Sequence, residues 1–136
     1  MADDDEDDRL MAKEAFEENK LFNTIQFVND GEELMDYLHR KGKYNEKNAP
    51  TPGLILLDLN MPKKDGRTAL KEIKASPDLK RIPVVVMTTS KSDEDILKSY
   101  DLGVSSFVSK PVTFESLVDV IKTITSYWFG IVILPK

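Results

Sequence analysis

The sequence predicts an α/β protein with a doubly wound parallel sheet of five strands and five flanking helices. Segments with helical apolar spacing alternate with short apolar runs, which is typical of strands joined by crossover helices. In chain order, the runs predicted to be strands span 24–30, 53–58, 82–90 and 105–110. The two runs "GLILLD" and "IPVVVMTTS" are too short for buried helices and are predicted to be central strands. A chain of 136 residues is the size of one domain.

Five segments carry the spacing of helices. In chain order, the predicted helices span 6–19, 31–42, 67–76, 93–103 and 113–129. In the first two helices, the residues expected to face the core are Leu10, Met11, Ala15, Phe16, Leu34, Met35 and Leu38. Gly42 and Gly103 are predicted to end the second and fourth helices, since glycine suits a helix C-cap. Ser90 or Ser92 is the expected N-cap of the fourth helix, and Thr113 that of the fifth.

The first strand of such a sheet is missing from this pattern. The acidic opening "MADDDEDD" offers only Met1 and Ala2 before the first carboxylate. We therefore expect a first strand that is truncated or very short; an alternative is that the apolar run at 130–134 takes its place. The predicted domain covers 1–129, and an apolar C-terminal tail covers 130–136.

The composition argues against several classes of protein. A formal net charge of −5 does not fit a nucleic-acid surface, which is normally basic. Without cysteine, the chain forms neither disulfides nor thiolate metal sites, which fits a reducing compartment. No stretch reaches the roughly 20 apolar residues of a membrane span, and no secretory signal opens the chain. We expect a soluble, cytoplasmic protein.

Polar side chains follow the predicted strands at their carboxyl ends, where ligands bind in open α/β sheets. In strand order they are Asp3, Asp4, Asp58, Asn60, Thr88 and Lys110. Three close carboxylates repel one another, so a bound Mg²⁺ and the Lys110 ammonium are expected to balance their charge. Asp58 is then predicted to be a nucleophile towards phosphorus, with metal and lysine stabilising the transferring phosphoryl group.

Four fragments, in this order and spacing, resemble the receiver domain of two-component response regulators. They are "DD" at 3–4, "LLDLNMPKKDG" at 56–66, "VVVMTTS" at 84–90 and "VSKP" at 108–111. The resemblance implies a flavodoxin-like (CheY-like) fold with strand order 2-1-3-4-5. The long loop before the third strand, "KKDGR" and the aromatic "YWF" are similar to stand-alone regulators that partner bacterial phytochrome-type kinases.

The resemblance implies roles in phosphoryl transfer and switching. Asp58 would accept a phosphoryl group from a kinase phosphohistidine, and Lys110 would bind that group. Thr88 would hydrogen-bond the phosphoryl group and swing inward, with Phe107 as its rotameric partner. Pro111 would be a cis proline that places the neighbouring lysine.

The resemblance also implies a metal site and slow hydrolysis. Asp4 and Asp58 would ligate Mg²⁺ directly, Asn60 through its backbone carbonyl and Asp3 through water, with Mn²⁺ or Ca²⁺ as substitutes. Asn60 and Ser90 would tune the loss of phosphate. The protein would thus be a metal-dependent phosphoacceptor with slow autophosphatase activity rather than a conventional enzyme.

The resemblance implies that the partner is a sensor histidine kinase, and the narrower resemblance implies a kinase of the phytochrome type. We expect neither nucleic acid nor a membrane as a partner. Signalling would pass through a surface formed by the fourth helix, the fifth strand and the fifth helix. The apolar end "YWFGIVILPK" favours an interface, so we expect a homodimer through the last helix and the tail. Packing of the tail onto its own domain is the alternative.

Other interpretations fit the residues less well. A phosphorylation-silent binding module would have lost an acid, Thr88 or Lys110, and the sequence retains them all. A haloacid dehalogenase-type hydrolase usually has a second Asp where this chain has Asn60. A flavodoxin would need a phosphate-cradling loop after its first strand. The further acids at 5–8 are interpreted only as residues suited to a helix N-terminus.

Overall fold

The computed structural model describes residues 1–19, 24–89, 92–130 and 133–134. Its helices are α1 (Glu6–Glu18), α2 (Gly31–His39), α3 (Gly66–Ala75), α4 (Asp93–Asp101) and α5 (Phe114–Gly130). Its strands are β1 (Ile55–Leu57), β2 (Val84–Thr88) and β3 (Ser106–Ser109). All five predicted helices are therefore present, and each strand lies inside a predicted one.

The described strands form a parallel sheet in the order β1-β2-β3. In register, Leu57 lies beside Val86, and Val86 lies beside Phe107. Beyond β1, Ala2 makes single parallel bridges to Leu57 on one side and to Val28 on the other. The structure thus shows three strands, extended at one edge by isolated bridges.

The predicted strand at 24–30 is reduced to one bridging residue, Val28. The backbone N–H of Val28 donates to the Met1 carbonyl at 3.0 Å, and that of Ala2 donates to the Leu56 carbonyl at 2.9 Å. In the described residues, the ladder on each side of Ala2 consists of a single bridge.

The apolar tail does not take the place of the first strand in the described chain, because Ala2 lies there. A Cβ on Gly53 would lie 3.2 Å from Leu134 Cδ1 and 3.3 Å from Phe129 Cε1. These two side chains therefore pack against Gly53, whereas Ile133 is 95% exposed. The described part of the tail is partly folded back onto its own domain.

Helices cover both faces of the sheet. On one face α2 packs against α3, and on the other α1 packs against α5. Side chains of β2 alternate between these layers: Val84 and Val86 join the α2–α3 core, while Val85 and Met87 join the α1–α5 core. Burying such a side chain contributes about 1.5–3 kcal/mol. None of the described helices is long and apolar enough to cross a membrane.

The α1 helix buries the predicted face except at Leu10. Ala12 and Ala15 are fully buried against α5, and Met11 and Phe16 are partly buried. The prediction that Leu10 faces the core is wrong, because this side chain is 55% exposed. Two small residues one turn apart let the helices approach closely, and this orientation turns Leu10 towards solvent.

Side-chain caps define where several helices begin. Ser92 is the N-cap of α4, and the Thr113 hydroxyl accepts a backbone hydrogen bond at 3.1 Å at the start of α5, so both predicted caps are confirmed. After α4, Gly103 has φ 97°, as expected for a residue that stops a helix. The α2 helix ends before Gly42, because Arg40 already adopts the left-handed conformation.

Few buried side chains hold the α4 helix in place. Of its nine residues, all of them described, Ser99 alone is buried. The first turn of α4 is instead tied to α3, because the Arg67 guanidinium donates to both Asp95 carboxylate oxygens, at 2.8 and 2.7 Å. Such a bidentate pair is directional as well as strong.

Gly66 begins α3 directly against the backbone of Asp58. A Cβ at this position would clash with the Asp58 carbonyl oxygen and lie 2.7 Å from the Leu59 Cα. The Gly66 N–H also donates to the Leu59 carbonyl at 2.9 Å, which holds the two segments together. Only glycine allows this approach.

We predict that Gly66→Ala lowers the free energy of unfolding by about 1–3 kcal/mol, because the new methyl group displaces backbone rather than a flexible side chain. Urea denaturation would measure the change. Gly130→Ala is the matched control, since no described atom beyond its chain neighbours and its own helix backbone lies within 4 Å of the added Cβ. Equal stability of the two variants would contradict the prediction.

Candidate functional site

Strand ends bring polar side chains to one edge of the sheet. Asp58 follows β1, Thr88 is the last residue of β2, and Lys110 follows β3. Asp3 follows Ala2, which bridges to β1. Because the strands are parallel, these side chains meet at their shared carboxyl edge, as the sequence predicts.

The Asp58 carboxylate is buried and held from three directions. Its Oδ1 accepts hydrogen bonds from the Thr88 hydroxyl at 2.9 Å and from the Asn60 backbone N–H at 3.2 Å. Its Oδ2 accepts one from the Lys110 ammonium at 3.2 Å. Thr88 is fully buried, so its hydroxyl already points inward at this carboxylate.

The Lys110 ammonium lies among three carboxylates. Besides Asp58, it contacts Asp3 Oδ2 at 2.7 Å and Asp8 Oδ2 at 2.6 Å. Burial lowers the pKa of Lys110, but its close contacts with the Asp3 and Asp8 carboxylates outweigh this effect and raise the pKa above its ordinary value. The backbone N–H of Lys110 donates to the Thr88 carbonyl at 2.8 Å, so the sheet itself places this cation.

Asp8 was missed by the sequence analysis. The acids at 5–8 were interpreted only as residues suited to a helix N-terminus, which is right for Asp5, the N-cap of α1. For Asp8 it is incomplete, because the first turn of α1 brings its carboxylate to Lys110. No local pattern in the sequence gives this contact, because it depends on the orientation of α1 relative to β3.

The chemistry of the donor set fits a hard divalent cation. Carboxylate oxygens of Asp3, Asp4 and Asp58 all lie within 4.8 Å of one another, and oxygen-only sets suit such ions. The buried Asp3 Oδ2 accepts no hydrogen bond of good geometry from the described residues, although the lysine ammonium is close. A hydrated cation would supply the missing donor.

The raised pKa of Asp3 indicates that a positive charge would be favourable at this site. Burial raises the pKa of the Asp3 carboxyl, and the nearby Asp58 charge raises it further, while Lys110 opposes both. The lysine alone therefore does not fully compensate the buried carboxylates.

Three other predicted site residues have different outcomes. Asn60 contributes its N–H to Asp58, while the role of its carbonyl remains a prediction. Phe107 is half-buried in β3 and donates its backbone N–H to the Tyr100 hydroxyl at 3.2 Å. Ser90 lies outside the described residues.

The prediction that Pro111 is a cis proline is wrong, because no described peptide bond is cis. For an X–Pro bond the trans form is favoured by about 0.5–1 kcal/mol, so a cis bond needs local support. Here Lys110 is already placed by its backbone hydrogen bond to Thr88 and by the surrounding carboxylates.

Known proteins are similar to this chain in sequence and in fold. The family described as response regulator receiver domain matches residues 1–122. Response regulator Rcp1 of Synechocystis sp. is 41% identical over 135 residues, which are 99% of this chain and 90% of Rcp1. The structure of the Mn²⁺-bound form of Rcp1 gives a TM-score of 0.89, with 99% and 96% of the two chains covered.

A second solved structure is similar to the same extent. The phosphorylated cyanobacterial phytochrome response regulator RcpA is 43% identical, with a TM-score of 0.91. The match covers 99% of this chain and 95% of RcpA. The similarity in fold therefore extends over nearly the whole chain.

We predict that Asp3→Asn stabilises the fold near neutral pH by about 0.5–2 kcal/mol, as removing a strained functional charge commonly does. A raised pKa means that Asp3 favours folding when protonated and loses this contribution as the pH rises through its folded-state value. The gain in Asp3→Asn should therefore shrink as the pH falls towards the ordinary carboxyl value of 3.8.

Thermal and urea unfolding across this pH range would test the prediction. Asp4→Asn is the control, because it removes the same charge from an exposed side chain. A stability gain that grows on acidification, or one equal to that of the control, would sink the idea.

Proposed function

The chain belongs to the family of response regulator receiver domains, and we propose that it accepts a phosphoryl group on Asp58 from the phosphohistidine of a sensor histidine kinase. The observation that carries the proposal is the placement of the Asp58 carboxylate. It is fixed by the Thr88 hydroxyl and lies between the Lys110 ammonium and two further carboxylates.

The proposed transfer is a direct displacement at phosphorus. A carboxylate oxygen of Asp58 forms a bond to phosphorus while the P–N bond breaks and the imidazole leaves with the electron pair. The Thr88 hydroxyl and the Lys110 ammonium donate to phosphoryl oxygens as negative charge develops on them. Slow attack by water then releases phosphate and restores Asp58, and we assign Asn60 and Ser90 to the tuning of this step.

We assign Mg²⁺ to the acidic site, with Mn²⁺ or Ca²⁺ as substitutes. Asp4 and Asp58 are the proposed direct ligands together with the Asn60 carbonyl, and Asp3 acts through water because it already faces Lys110. When bound, the ion neutralises charge on the phosphoryl oxygens. The Mn²⁺-bound form of the relative Rcp1 supports a divalent cation here.

The proposed switch starts at Thr88. Its hydroxyl would exchange the Asp58 carboxylate for a phosphoryl oxygen, and Phe107 would change rotamer with it. This shift would alter the surface of α4, β3 and α5, which exposes Leu97, Tyr100 and Phe114. Exposed apolar side chains at one face support its use as a surface that another protein reads.

We also propose that the full sheet has five strands in the order 2-1-3-4-5. Support comes from Ala2, which lies between Val28 and Leu57 and makes a parallel bridge to each. The receiver domain would cover 1–129, with 130–136 as a C-terminal tail.

The proposed donor is a kinase of the phytochrome type. Support comes from the relative RcpA, a phytochrome response regulator, and from a bacteriophytochrome response regulator that is 37% identical with a TM-score of 0.77. A cytoplasmic site of action remains a prediction, as does the absence of nucleic-acid and membrane partners.

The first test is phosphorylation by a small donor. With Mg²⁺ and acetyl phosphate, the protein should gain one phosphoryl group, and Asp58→Asn should gain none. Acetate is the leaving group in this reaction, in place of the imidazole of the kinase phosphohistidine. Intact-mass spectrometry would detect the adduct, and omission of the metal should abolish it. A well-folded protein without an adduct would favour the phosphorylation-silent binding module.

We further propose that two copies associate through α5 and the tail. Tyr127 and Phe129 are 51% and 41% exposed at the end of α5, and Ile133 is 95% exposed. Such side chains at one end of the molecule are typical of an interface.

Removal of residues 130–136 should shift the dimer towards the monomer, because Ile133 and the rest of the apolar tail are lost from the interface, while Tyr127 and Phe129 remain. Sedimentation velocity of both proteins over a range of concentrations would show the change. Leu97→Ala, at an exposed position on α4, should leave the dimer intact. A full-length chain that sediments as a monomer at all concentrations would end the proposal.

A further inference from the structure

The Lys110 ammonium is shared by three carboxylates in this structure. It has three N–H groups, and three carboxylate oxygens surround it, those of Asp3 at 2.7 Å, Asp8 at 2.6 Å and Asp58 at 3.2 Å. A phosphoryl group on Asp58 takes over the contact of the Asp58 carboxylate and competes with the other two carboxylates for this ammonium.

Asp8 differs from the other two carboxylates. It lies on the first turn of α1 rather than at a strand end, and the group of acids close enough to share a metal consists of Asp3, Asp4 and Asp58 in the described chain. Its backbone N–H donates to the Asp5 cap at 3.2 Å, so the helix start fixes its position. Asp8 therefore contacts the lysine without belonging to the metal site.

Exposure decides which carboxylate is released. The Asp8 side chain is 34% exposed, against 0% for Asp3 and 7% for Asp58. A carboxylate that reaches water is rehydrated at little cost when its partner leaves, whereas a buried one is not. A phosphoryl group also brings about two negative charges and three acceptor oxygens to the lysine.

We propose that Asp8 is a positioning residue, which holds Lys110 in the resting protein and yields it to the phosphoryl group when Asp58 is phosphorylated. This inference rests on the proposed phosphoryl transfer. Asp8 competes with the phosphoryl group for one N–H of the lysine and so opposes phosphorylation. Its release also frees the first turn of α1 from the end of β3.

The test measures initial rates of adduct formation at low acetyl phosphate, with Mg²⁺, by intact-mass spectrometry. Asp8→Asn should raise the rate by roughly 2- to 5-fold, the equilibrium equivalent of a partly exposed ion pair. Asp8→Glu, which restores a carboxylate within reach of Lys110, should return the rate towards that of the wild type.

Asp7→Asn is the matched control. Asp7 is exposed on the same turn of α1. Asp7→Asn removes the same unit of negative charge from the helix N-terminus. It therefore changes the electrostatic repulsion of the anionic phosphodonor by a similar amount. Asp7→Asn should therefore leave the rate close to that of the wild type.

The outcomes separate this inference from the proposed function. A phosphorylated wild type whose Asp8→Asn and Asp7→Asn variants react equally fast overturns the role of Asp8 and leaves Asp58 as phosphoacceptor. A slower Asp8→Asn variant also overturns it, because Asp8 would then assist transfer. A wild type that takes no phosphoryl group overturns the proposed function itself.

Discussion

The contact between Lys110 and its carboxylates is the interaction on which the rest of the site depends. Asp3 and Asp8 come from the start of the chain and Asp58 follows β1, and burying Asp3 and Asp58 without a cation would cost several kcal/mol for each charge. The lysine is held by a backbone hydrogen bond to Thr88 at 2.8 Å. The geometry of the sheet thus sets the geometry of the charges.

Helices were predicted better than strands because their signals are local. Caps such as Ser92 and Thr113 and the apolar spacing between them lie within one segment of sequence. A strand needs a partner that is remote in sequence, which a local pattern does not show. In the segment 24–30, only Val28 forms a bridge, and its partner is Ala2. The orientation of α1, and with it the exposure of Leu10, also depends on packing against α5.

The main site residues were predictable because the topology of a parallel sheet determines where they lie. Parallel strands end at one edge, so Asp58, Thr88 and Lys110 had to meet there once the strands were recognised. The contact of Asp8 depends on how α1 is rotated towards β3, which no local pattern encodes. The isomer of the Pro111 bond depends on a small energy difference and on tertiary context.

The sparse burial of α4 has a consequence for how this surface can be read. Opening a helix with one buried side chain exposes little apolar area, so its backbone amides should exchange with solvent far faster than those of β2. The Arg67–Asp95 pair then sets how often the helix is formed. In the proposed function, a partner that binds this surface would then respond to the local order of α4 as well as to its shape.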